Sequence, residues 1–332
     1  MSALVVDRCA PGASVQDGGR VGWRRYGIAT AGAMDRLALA VANALVGNPA
    51  DAAAVELTLA GARFRVVGGP VLVAASGPGV VLGVGGRTLA PGVSARAEDD
   101  DLVEVSAIRG GVYGYLAVAG GVDLRPEMGS RAFHLRSGIG GAMLTPGMRL
   151  PVAGGALAPL ALDRVPDHAT GPIRFMPGPQ DDWFSPESLE LLAGADWQVD
   201  ARSDRMGRFL AGPRLIPRAG SMVSDGVLPG SIQVPPDGQP IVLMRDCQTT
   251  GGYPKLATVI SADLDRLAQL PAGARFRLAP VDRAGAVSAA QRLAQTIAAL
   301  NPRPAGAIDT VRLLSANLID GVVDARGDLD QA

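Results

Sequence analysis

SDGVLPGSIQVPPDGQPIVLMRDCQTTGGYPKLATVI is the sequence from Ser224 to Ile260. Its strongest apolar run, Ile241 to Met244, lies between segments rich in Gly, Pro and polar residues. Short runs of Val, Ile and Leu between turn-forming residues are typical of β-strands. The segment therefore predicts strands joined by tight turns.

The same pattern continues along the whole chain, which has 44 glycines and 25 prolines. A Gly-Gly pair at residues 85–86, between two apolar runs, is typical of a two-residue hairpin turn. Strands separated by turns favour antiparallel barrels or sandwiches, so the predicted fold class is mainly β with a few helices. The strands predicted outside the quoted segment include residues 70–75, 79–84, 101–108, 112–119 and 173–176.

Three segments have a helical pattern. Apolar residues recur at helical spacing across residues 33–47, which end in a glycine suited to a left-handed cap. A Ser-Pro pair opens a second helix, predicted over residues 185–192. A third is predicted over residues 287–300, where an Asn-Pro pair stops it.

Length and composition bound the number of domains and the class of partner. The chain has 332 residues, 48% of them hydrophobic, which is enough for two cores of ordinary domain size. Polar, proline-containing sequence over residues 163–172 predicts a boundary between a first domain, residues 1–167, and a second, residues 168–332. A formal net charge of -1 argues against nucleic acid or an anionic membrane as a partner.

The N-terminus and the apolar runs bear on localisation. The first residues lack the basic flank and the unbroken apolar run of a secretory signal. Gly and Pro interrupt the apolar runs before they reach the ~20 residues that a membrane helix needs. We therefore expect a soluble, cytoplasmic protein.

The cysteines and histidines are too few for a metal or disulfide framework. Cys9 and Cys247 are the only cysteines, and His134 and His168 are the only histidines. We therefore predict no metal site, and Cys247 in its apolar run is typical of an inert core residue rather than a nucleophile. The glycine-rich runs do not join a strand to a helix, so no nucleotide-binding motif is indicated.

The end of the quoted segment has the residues most typical of a binding site. Gln248 and Thr250 precede a Gly-Gly pair, which permits close approach to a ligand and can expose amide N–H groups to an oxyanion. An ordinary hairpin loop explains these residues equally well. Lys255 is the only lysine among 31 basic residues, which suggests a site that needs a compact ammonium; chance retention on the surface is the alternative.

Two further motifs combine charged and amide side chains. Asp204 and Arg205 lie in the motif SDRMG, and Gln180 lies in GPQDD just before the second predicted helix. Both motifs could line a polar pocket, but from spacing alone a solvated turn and a helix N-terminus are favoured. Arg131 follows a predicted strand and a glycine-rich turn, where it could bind a carboxylate.

Seven segments, in chain order, resemble one family. The resemblance extends from about residue 4 to residue 280, and the motifs taken together are highly specific. The chain resembles the biotin-dependent carboxyltransferase family, also called allophanate hydrolase subunit 2, the Kip antagonist family or the C subunit of 5-oxoprolinase. The segments are SVQDGGRVG (14–22), GAMDRLALAVANALVGNP (32–49), LAVAGGVD (116–123), GSR (129–131), GPQDDWF (178–184), SDRMG (203–207) and GSIQVPPDGQPIVLMRDCQTTGGYPKLATVISAD (230–263).

The resemblance implies a fold, a partner and an activity. It implies two cyclophilin-like β-barrel subdomains and an obligate partner, the B subunit or Kip-inhibitor-like protein. Stand-alone pairs in this family are linked to the ATP-dependent opening of 5-oxoproline to glutamate, together with a lactam-utilising A subunit. We therefore expect the C subunit of a 5-oxoprolinase, a hydrolase component that is inactive in isolation.

Two alternative functions stay open. Fused relatives transfer a carboxyl group from carboxybiotin to urea, and biotin would take part only if this reaction applied. The Kip name instead suggests a non-enzymatic antagonist of a kinase-inhibitor partner. The chain has no biotin-carrier segment, so we expect no cofactor bound by the chain itself and ATP only at the level of the complex.

The resemblance and the residue chemistry together give a predicted site for a small amide or lactam. Lys255 and Arg131 are predicted to stabilise negative charge on a carbonyl or carboxylate oxygen. Asp204 is predicted to position Arg205 or to act as a base. The residues predicted to bind the substrate through amide or hydroxyl groups are Asn43, Gln180, Gln233, Gln248 and Thr250.

Two features complete the comparison with the family. After residues 129–131 the family usually continues with Ser-Thr, whereas Ala132-Phe133 follows here, and the loss of two hydroxyls there could alter substrate choice. The segment Leu313 to Ala325 is apolar for a terminus, so we expect it to pack on the core or on the partner.

Overall fold

The computed structural model describes residues 2–218, 220 and 222–306. Within these residues short strands predominate, and the α-helices are α1 (Arg36–Ala44), α2 (Pro186–Gly194), α3 (Leu264–Gln269) and α4 (Arg283–Ala298). The strands of the first half are β1 (Ala3–Cys9), β2 (Ser14–Gln16), β3 (Ala54–Thr58), β4 (Ala62–Val67), β5 (Val71–Ser76), β6 (Leu82–Val84), β7 (Arg87–Thr88), β8 (Ala95–Ala97), β9 (Leu102–Val105), β10 (Tyr113–Val118), β11 (Arg149–Pro151) and β12 (Leu160–Ala161). Those of the second half are β13 (Ile173–Pro177), β14 (Asp196–Val199), β15 (Gly207–Ala211), β16 (Asp225–Gly226), β17 (Ser231–Gln233), β18 (Ile241–Leu243), β19 (Thr250–Gly251), β20 (Lys255–Val259), β21 (Arg275–Pro280) and β22 (Arg303–Pro304).

The first half is a sandwich of two antiparallel sheets. One sheet has the order β11-β1-β4-β9-β6-β7, and the other has the order β2-β3-β10-β5-β8. Aliphatic side chains from both sheets, together with Phe64, fill the core between them. In β4 every second residue is buried, as expected for a strand with one face on a core. All six residues of β10 are buried, because α1 covers the face that points away from the sandwich.

The second half contains a closed barrel of seven strands. Its order is β13-β20-β17-β18-β15-β14-β21, and its one parallel pair among the described strands is β13 with β21. Phe175 and Trp197 lie fully inside. The Trp197 indole donates a hydrogen bond of 2.9 Å to the carbonyl of Leu192, which ties α2 to the barrel. Closing the sheet pairs the edge strands that would otherwise be open to association.

Helix α1 joins the two halves. Its N-cap is Asp35, whose carboxylate accepts a hydrogen bond of 3.0 Å from the backbone N–H of Ala38. Buried residues of α1, of β10 and of the barrel belong to one continuous apolar cluster. The two halves therefore share buried surface, and side chains at their junction are held in fixed positions.

The mainly β fold predicted from the sequence is confirmed, with a closed barrel in the second half and two sheets in the first. The helices predicted over 33–47, 185–192 and 287–300 appear as α1, α2 and α4 with shifted ends. The hairpin at residues 85–86 is present between β6 and β7, and both glycines have positive φ angles, 54° and 79°. Helix α3 was not predicted, because six residues are too few for a helical period to be recognised.

Three further expectations concern the domain boundary, the C-terminal apolar segment and membrane-spanning helices. One pair of short strands, β12 with β22, connects the two sides of residue 168, and the domain boundary there stays a prediction. The apolar segment Leu313 to Ala325 lies outside the described residues. Among the described helices, none is both long enough and apolar enough to span a membrane.

Candidate functional site

A cleft between the two halves contains two adjoining cavities. The first, here called the apolar cavity, has a volume of about 520 Å³, and the second, the polar cavity, has a volume of about 580 Å³. Both volumes fall within the roughly 300–1,000 Å³ that small-molecule sites usually occupy. The residues shared by the two linings are Arg136, Met206 and Asp246.

The two cavities differ in chemistry. Aliphatic, thioether and aromatic side chains form much of the apolar cavity, with a few polar groups among them. The apolar cavity is lined, among others, by Leu59, Val112, Phe133, Leu135 and Met143, and by the polar Gln16, Arg205 and Arg208. The polar cavity is lined, among others, by His134, Ser137, Gln248, Thr249 and Thr250.

Arg205 connects the two halves through ion pairs at the junction. Both oxygens of the Asp246 carboxylate accept hydrogen bonds from Arg205, one at 2.9 Å from Nε and the other at 2.8 Å from Nη2. The Nη1 of Arg205 donates to the carboxylate of Glu56 on β3. Burial alone would lower the pKa of Arg205, but the charges of Glu56 and Asp246 outweigh it and raise that pKa well above its usual value. The guanidinium therefore stays charged and fixed in the wall of the apolar cavity.

The buried carboxylate of Glu56 begins a hydrogen-bonded chain towards α1. Its Oε2 accepts from the Tyr115 hydroxyl at 2.7 Å, and that hydroxyl accepts from the backbone N–H of Asp35 at 2.8 Å. The Asp35 carboxylate accepts from His168 and from Gln269, each at 2.8 Å. Burial raises the pKa of Glu56, and the positive charge of Arg205 opposes that rise. The chain spans the interface between the two halves.

His134 lies in the wall of the polar cavity with a defined tautomer. Its Nε2 is 3.1 Å from the carbonyl oxygen of Asp246, and its Nδ1 is 2.6 Å from the hydroxyl of Ser137. Because a carbonyl oxygen only accepts, Nε2 carries the proton and Nδ1 accepts from Ser137 when the ring is neutral. The ring thereby links the first half of the chain to the loop that carries Asp246.

Gln248 and Thr250, both predicted to bind substrate, lie in the lining of the polar cavity. The loop that carries them is held by Arg24, whose Nη2 donates to the carbonyls of Val227 and Gln248 at 2.7 Å each. Cys247, which precedes Gln248 in the chain, is buried, and burial raises the pKa of its thiol. The thiol therefore remains protonated, as expected for an inert core residue.

Lys255 forms a second polar cluster with other predicted site residues. Its side chain is only 4% exposed, and Nζ lies 2.8 Å from the carboxylate of Asp225. Gln180 accepts from the backbone N–H of Lys255 at 3.2 Å and lies 3.3 Å from Asp225, while Gln233 pairs with Lys255 in the barrel. The hydrogen bond from Lys255 lowers the pKa of the Asp225 carboxyl.

The Lys255 cluster is close to the polar cavity along the chain. Asp225 lies on β16, which pairs with β19 so that Asp225 is opposite Gly251. The residue before Gly251 is Thr250, which lines the polar cavity. The structure thus brings Lys255, Gln180 and Gln233 together in one cluster, which lines neither cavity, whereas Gln248 and Thr250 line the polar cavity.

Two predicted site residues, Asp204 and Asn43, are engaged in local structure. Asp204 lines the apolar cavity, but its Oδ1 accepts from the backbone of residues 206 and 207 and closes a turn, while Arg205 binds Glu56 and Asp246. Asn43 donates to the carbonyl of Ala52 at 2.9 Å and accepts from Asn48, within the loop after α1.

Arg131 likewise has local partners. Its Nε donates to the carbonyl of Leu124 at 2.6 Å, and its Nη2 lies 3.3 Å from the Asp123 carboxylate. Neither Arg131 nor Asn43 is among the residues that line the two cavities. Their side chains stabilise loops of the first half.

The sequence reasoning missed several residues that the fold brings to the cleft. Glu56, within the otherwise mostly apolar AVELT of β3, had a usable signal, because a carboxylate in a buried strand requires a partner. Asp246 lies inside the segment first quoted, yet nothing in its spacing pointed to Arg205. Arg136 gave no local signal, and Gln16 was not singled out within SVQDGGRVG, because only the packing of the two halves places them in one cleft.

No group of three metal-binding side chains of the His, Cys, Asp or Glu type occurs among the described residues. The polar groups of the cleft are instead amide, hydroxyl, guanidinium and imidazole groups arranged around carboxylates. Such a set can bind and orient a small polar substrate with a carbonyl group and can stabilise negative charge on it.

The chain is similar to known proteins over most of its length. Residues 26–280 match the family model described as "Carboxyltransferase domain, subdomain A and B". The 5-oxoprolinase C subunit of Escherichia coli (strain K12) is 39% identical over 278 residues, which are 81% of this chain and 88% of that protein. The protein of the same name from Haemophilus influenzae (strain ATCC 51907 / DSM 11121 / KW20 / Rd) is 34% identical over 273 residues, with the same two coverages.

A solved structure shares the fold. The K. lactis urea amidolyase superposes with a TM-score of 0.81 at 25% identity, over 90% of this chain. The chain spans only 20% of that protein's length.

Proposed function

The chain belongs to the family of carboxyltransferase domains with subdomains A and B, and we propose that it serves as the C subunit of an ATP-dependent 5-oxoprolinase. Two relatives with that name match it over 88% of their own lengths. The observation that carries the proposal is the cleft, where charged, amide and hydroxyl groups from both halves converge on two adjoining cavities.

The proposed reaction needs other subunits. We assign ATP use to the complex, formed with the B subunit, which is a Kip-inhibitor-like protein, and with a lactam-utilising A subunit. The chain would then be inactive by itself and would contribute part of the substrate site.

The side chains of the polar cavity and of the neighbouring Lys255 cluster suit the opening of a lactam. Water adds to the ring carbonyl, the C–N bond breaks, and the products are a carboxylate and an amine. Negative charge develops on the carbonyl oxygen, and a preorganised cation or N–H donor lowers the barrier by stabilising it. We assign this role to Lys255, and the orientation of the amide to Gln180, Gln233, Gln248 and Thr250.

Arg205 has a positioning role in this proposal. It fixes the loop of Asp246, which forms part of both cavity walls, against Glu56 on the other half. We assign no substrate contact to Asn43 or Arg131, because each is hydrogen-bonded within its own loop.

The match to a urea amidolyase favours one alternative function. The fold is shared with that protein at a TM-score of 0.81, so a carboxyl transfer to urea is the second candidate. It would require a separate biotinylated carrier, and avidin would then block the activity.

The experiment that tests the proposal mixes this chain with the two other subunits and measures ATP-dependent release of glutamate from 5-oxoproline. Each of the three proteins is omitted in turn, and each mixture is repeated with avidin. We expect release only with all three present and no effect of avidin. Avidin-sensitive consumption of urea, with no glutamate release, would replace the proposal by the alternative.

A further inference from the structure

The side chains assigned so far to the opening of the lactam include no group that takes up a proton. Lys255 supplies an ammonium, and the other assigned side chains supply amides and a hydroxyl. Water loses a proton as it adds to a carbonyl carbon, and the ring nitrogen gains one as the C–N bond breaks. The reaction therefore needs a further group that accepts a proton and returns it.

The carboxylates near the site are engaged by other groups. Both oxygens of Asp246, which lines the polar cavity, accept hydrogen bonds from a guanidinium. The carboxylate of Asp225 accepts from Lys255, and this hydrogen bond lowers the pKa of the carboxyl, which makes it a weaker base. Asp204 lines the apolar cavity and closes a turn with its Oδ1. Among the residues that line the polar cavity, His134 is the remaining side chain of a type that exchanges protons readily.

His134 forms a hydrogen-bonded pair with Ser137 in the wall of the polar cavity. The hydroxyl of Ser137 lies 2.6 Å from Nδ1, and Nε2 lies 3.1 Å from the carbonyl oxygen of Asp246. Because that carbonyl holds the proton of the neutral ring on Nε2, Nδ1 accepts the proton of the Ser137 hydroxyl. A hydroxyl bonded to a base that a third group orients is the usual arrangement of an activated hydroxyl in an active site.

The two side chains of the pair differ in exposure. His134 is only 7% exposed, whereas Ser137 is exposed, and both line the polar cavity. The Ser137 oxygen keeps lone pairs that can accept a hydrogen bond from a molecule in the cavity. A proton can therefore pass from the cavity to the shielded ring through the Ser137 hydroxyl.

The turn that carries the pair is held by backbone hydrogen bonds. The N–H of Gly138 donates to the carbonyl of His134, and the N–H of His134 donates to the carbonyl of Ile139, each at 2.9 Å. Neither bond involves the side chain of Ser137. Removal of the Ser137 hydroxyl is therefore expected to leave the turn in place, so the pair can be tested without unfolding the turn.

We propose that Ser137 and His134 form the proton relay of the lactam opening, with Ser137 in contact with the attacking water and His134 behind it. The water oxygen bonds to the ring carbonyl carbon while its proton passes to the Ser137 oxygen and the Ser137 proton passes to Nδ1. The C–N bond then breaks, and a proton returns from Nδ1 through Ser137 to the leaving nitrogen. The inference rests on the proposed function and adds two residues of the cavity that Gln248 and Thr250 also line.

The test measures kcat and KM for glutamate release from 5-oxoproline by the assembled complex. Ser137→Ala removes the contact with the attacking water, so we expect kcat to fall about 100-fold or more, with KM unchanged. Ser137→Thr keeps a hydroxyl and is expected to retain most of the rate. Ser261→Ala, at an exposed serine outside both cavities, is the matched control. Equal kcat in Ser137→Ala and the wild type overturns the proposal.

A second variant tests His134, which acts on the substrate through Ser137. His134→Gln keeps a polar side chain that cannot take up a proton, and we expect a similar fall in kcat. Because residues of one relay act as a unit, the double variant Ser137→Ala/His134→Gln should be no slower than the slower single variant. Losses that multiply in the double variant would show separate roles and overturn the relay.

The wild-type complex separates this inference from the proposed function. If the wild-type complex releases glutamate and Ser137→Ala releases it at the same rate, the proposed function stands and the inference is overturned. If the wild-type complex releases no glutamate, the proposed function is overturned together with the inference that rests on it.

Discussion

Lys255 is the residue on which the proposed chemistry depends most. Its ammonium is nearly buried and held 2.8 Å from Asp225 in a cluster with Gln180. Lys255→Met keeps the length of the side chain and removes the charge, so we expect turnover of the complex to fall by roughly 100-fold or more. Size-exclusion chromatography should show unchanged assembly. Arg87→Met is the matched control, and equal loss in both variants would remove Lys255 from the site.

The buried ion pairs of Arg205 lead to a prediction about stability. Arg205→Met leaves the carboxylates of Glu56 and Asp246 without their cation, so we expect the free energy of unfolding to fall by about 3–5 kcal/mol. Adding Glu56→Gln removes one uncompensated charge and should restore part of the loss. Urea denaturation measures both variants. If the double variant were less stable than Arg205→Met alone, the uncompensated carboxylate of Glu56 would not be the source of the lost stability.

At this scale the sequence predicted residue types better than residue roles. It selected Lys255, Gln180 and Gln248 because amides and a lone lysine stood out in one segment. The partners Asp225, Glu56 and Asp246 could not be chosen, since ion pairs between the two halves depend on tertiary packing and not on spacing. For the same reason the sequence did not show that Asn43 is hydrogen-bonded within the loop after α1, and its role in substrate binding stays a prediction.

At the scale of elements, the start of α1 depends on a histidine from the connection between the halves. His168 Nε2 lies 2.8 Å from Asp35, the N-cap of α1. Burial alone would lower the pKa of His168, but the hydrogen bond and charge of Asp35, with Asp265, outweigh it, and the net shift is upward. The folded-state pKa is thus above the unfolded value of about 6.5.

The sign of the pH dependence follows from that upward shift. The stabilising contribution is fully present below the unfolded pKa and is lost as the pH rises through the folded pKa. We expect the free energy of unfolding of the wild type minus that of His168→Gln to decrease on raising the pH above about 6.5. Chemical denaturation of both proteins at a series of pH values measures this difference in the free energy of unfolding. A difference that is constant with pH would contradict the predicted pH dependence.

Strand β20, which carries Lys255, requires a glycine beside it. A Cβ at Gly178 would clash with the backbone oxygen of Lys255. We expect Gly178→Ala to displace the Gln180 turn from β20, to destabilise the protein by about 1–3 kcal/mol and to reduce turnover. Gly194→Ala, at the end of α2 with no atom within 4 Å of the added carbon, is the control. Equal stability of the two variants would contradict the predicted close approach.

The elements themselves were largely predictable. Helices α1, α2 and α4 and the hairpin at residues 85–86 follow from local periodicity and turn chemistry, which the sequence displays directly. The ends of the strands were less accurate: residues 101–108 were predicted where β9 covers Leu102–Val105. Strand ends depend on which neighbour supplies hydrogen bonds, and that information is not local.

At the scale of the whole molecule, the site exists only because two halves are packed together. The apolar and polar cavities both draw residues from each half, and Arg205 and Arg24 bind across the interface. Composition and motifs were sufficient to predict a mainly β chain with a small polar site. The cleft could not be predicted, because it is a property of the junction.

The central claim is that this chain is a required component of a lactam-opening complex. The most direct measurement is the rate of ATP-dependent glutamate release from 5-oxoproline as the chain is titrated into fixed amounts of the two other subunits. We predict no release without the chain and a rate that rises until the chain reaches a fixed ratio to its partners. A rate that is independent of the chain would contradict the claim.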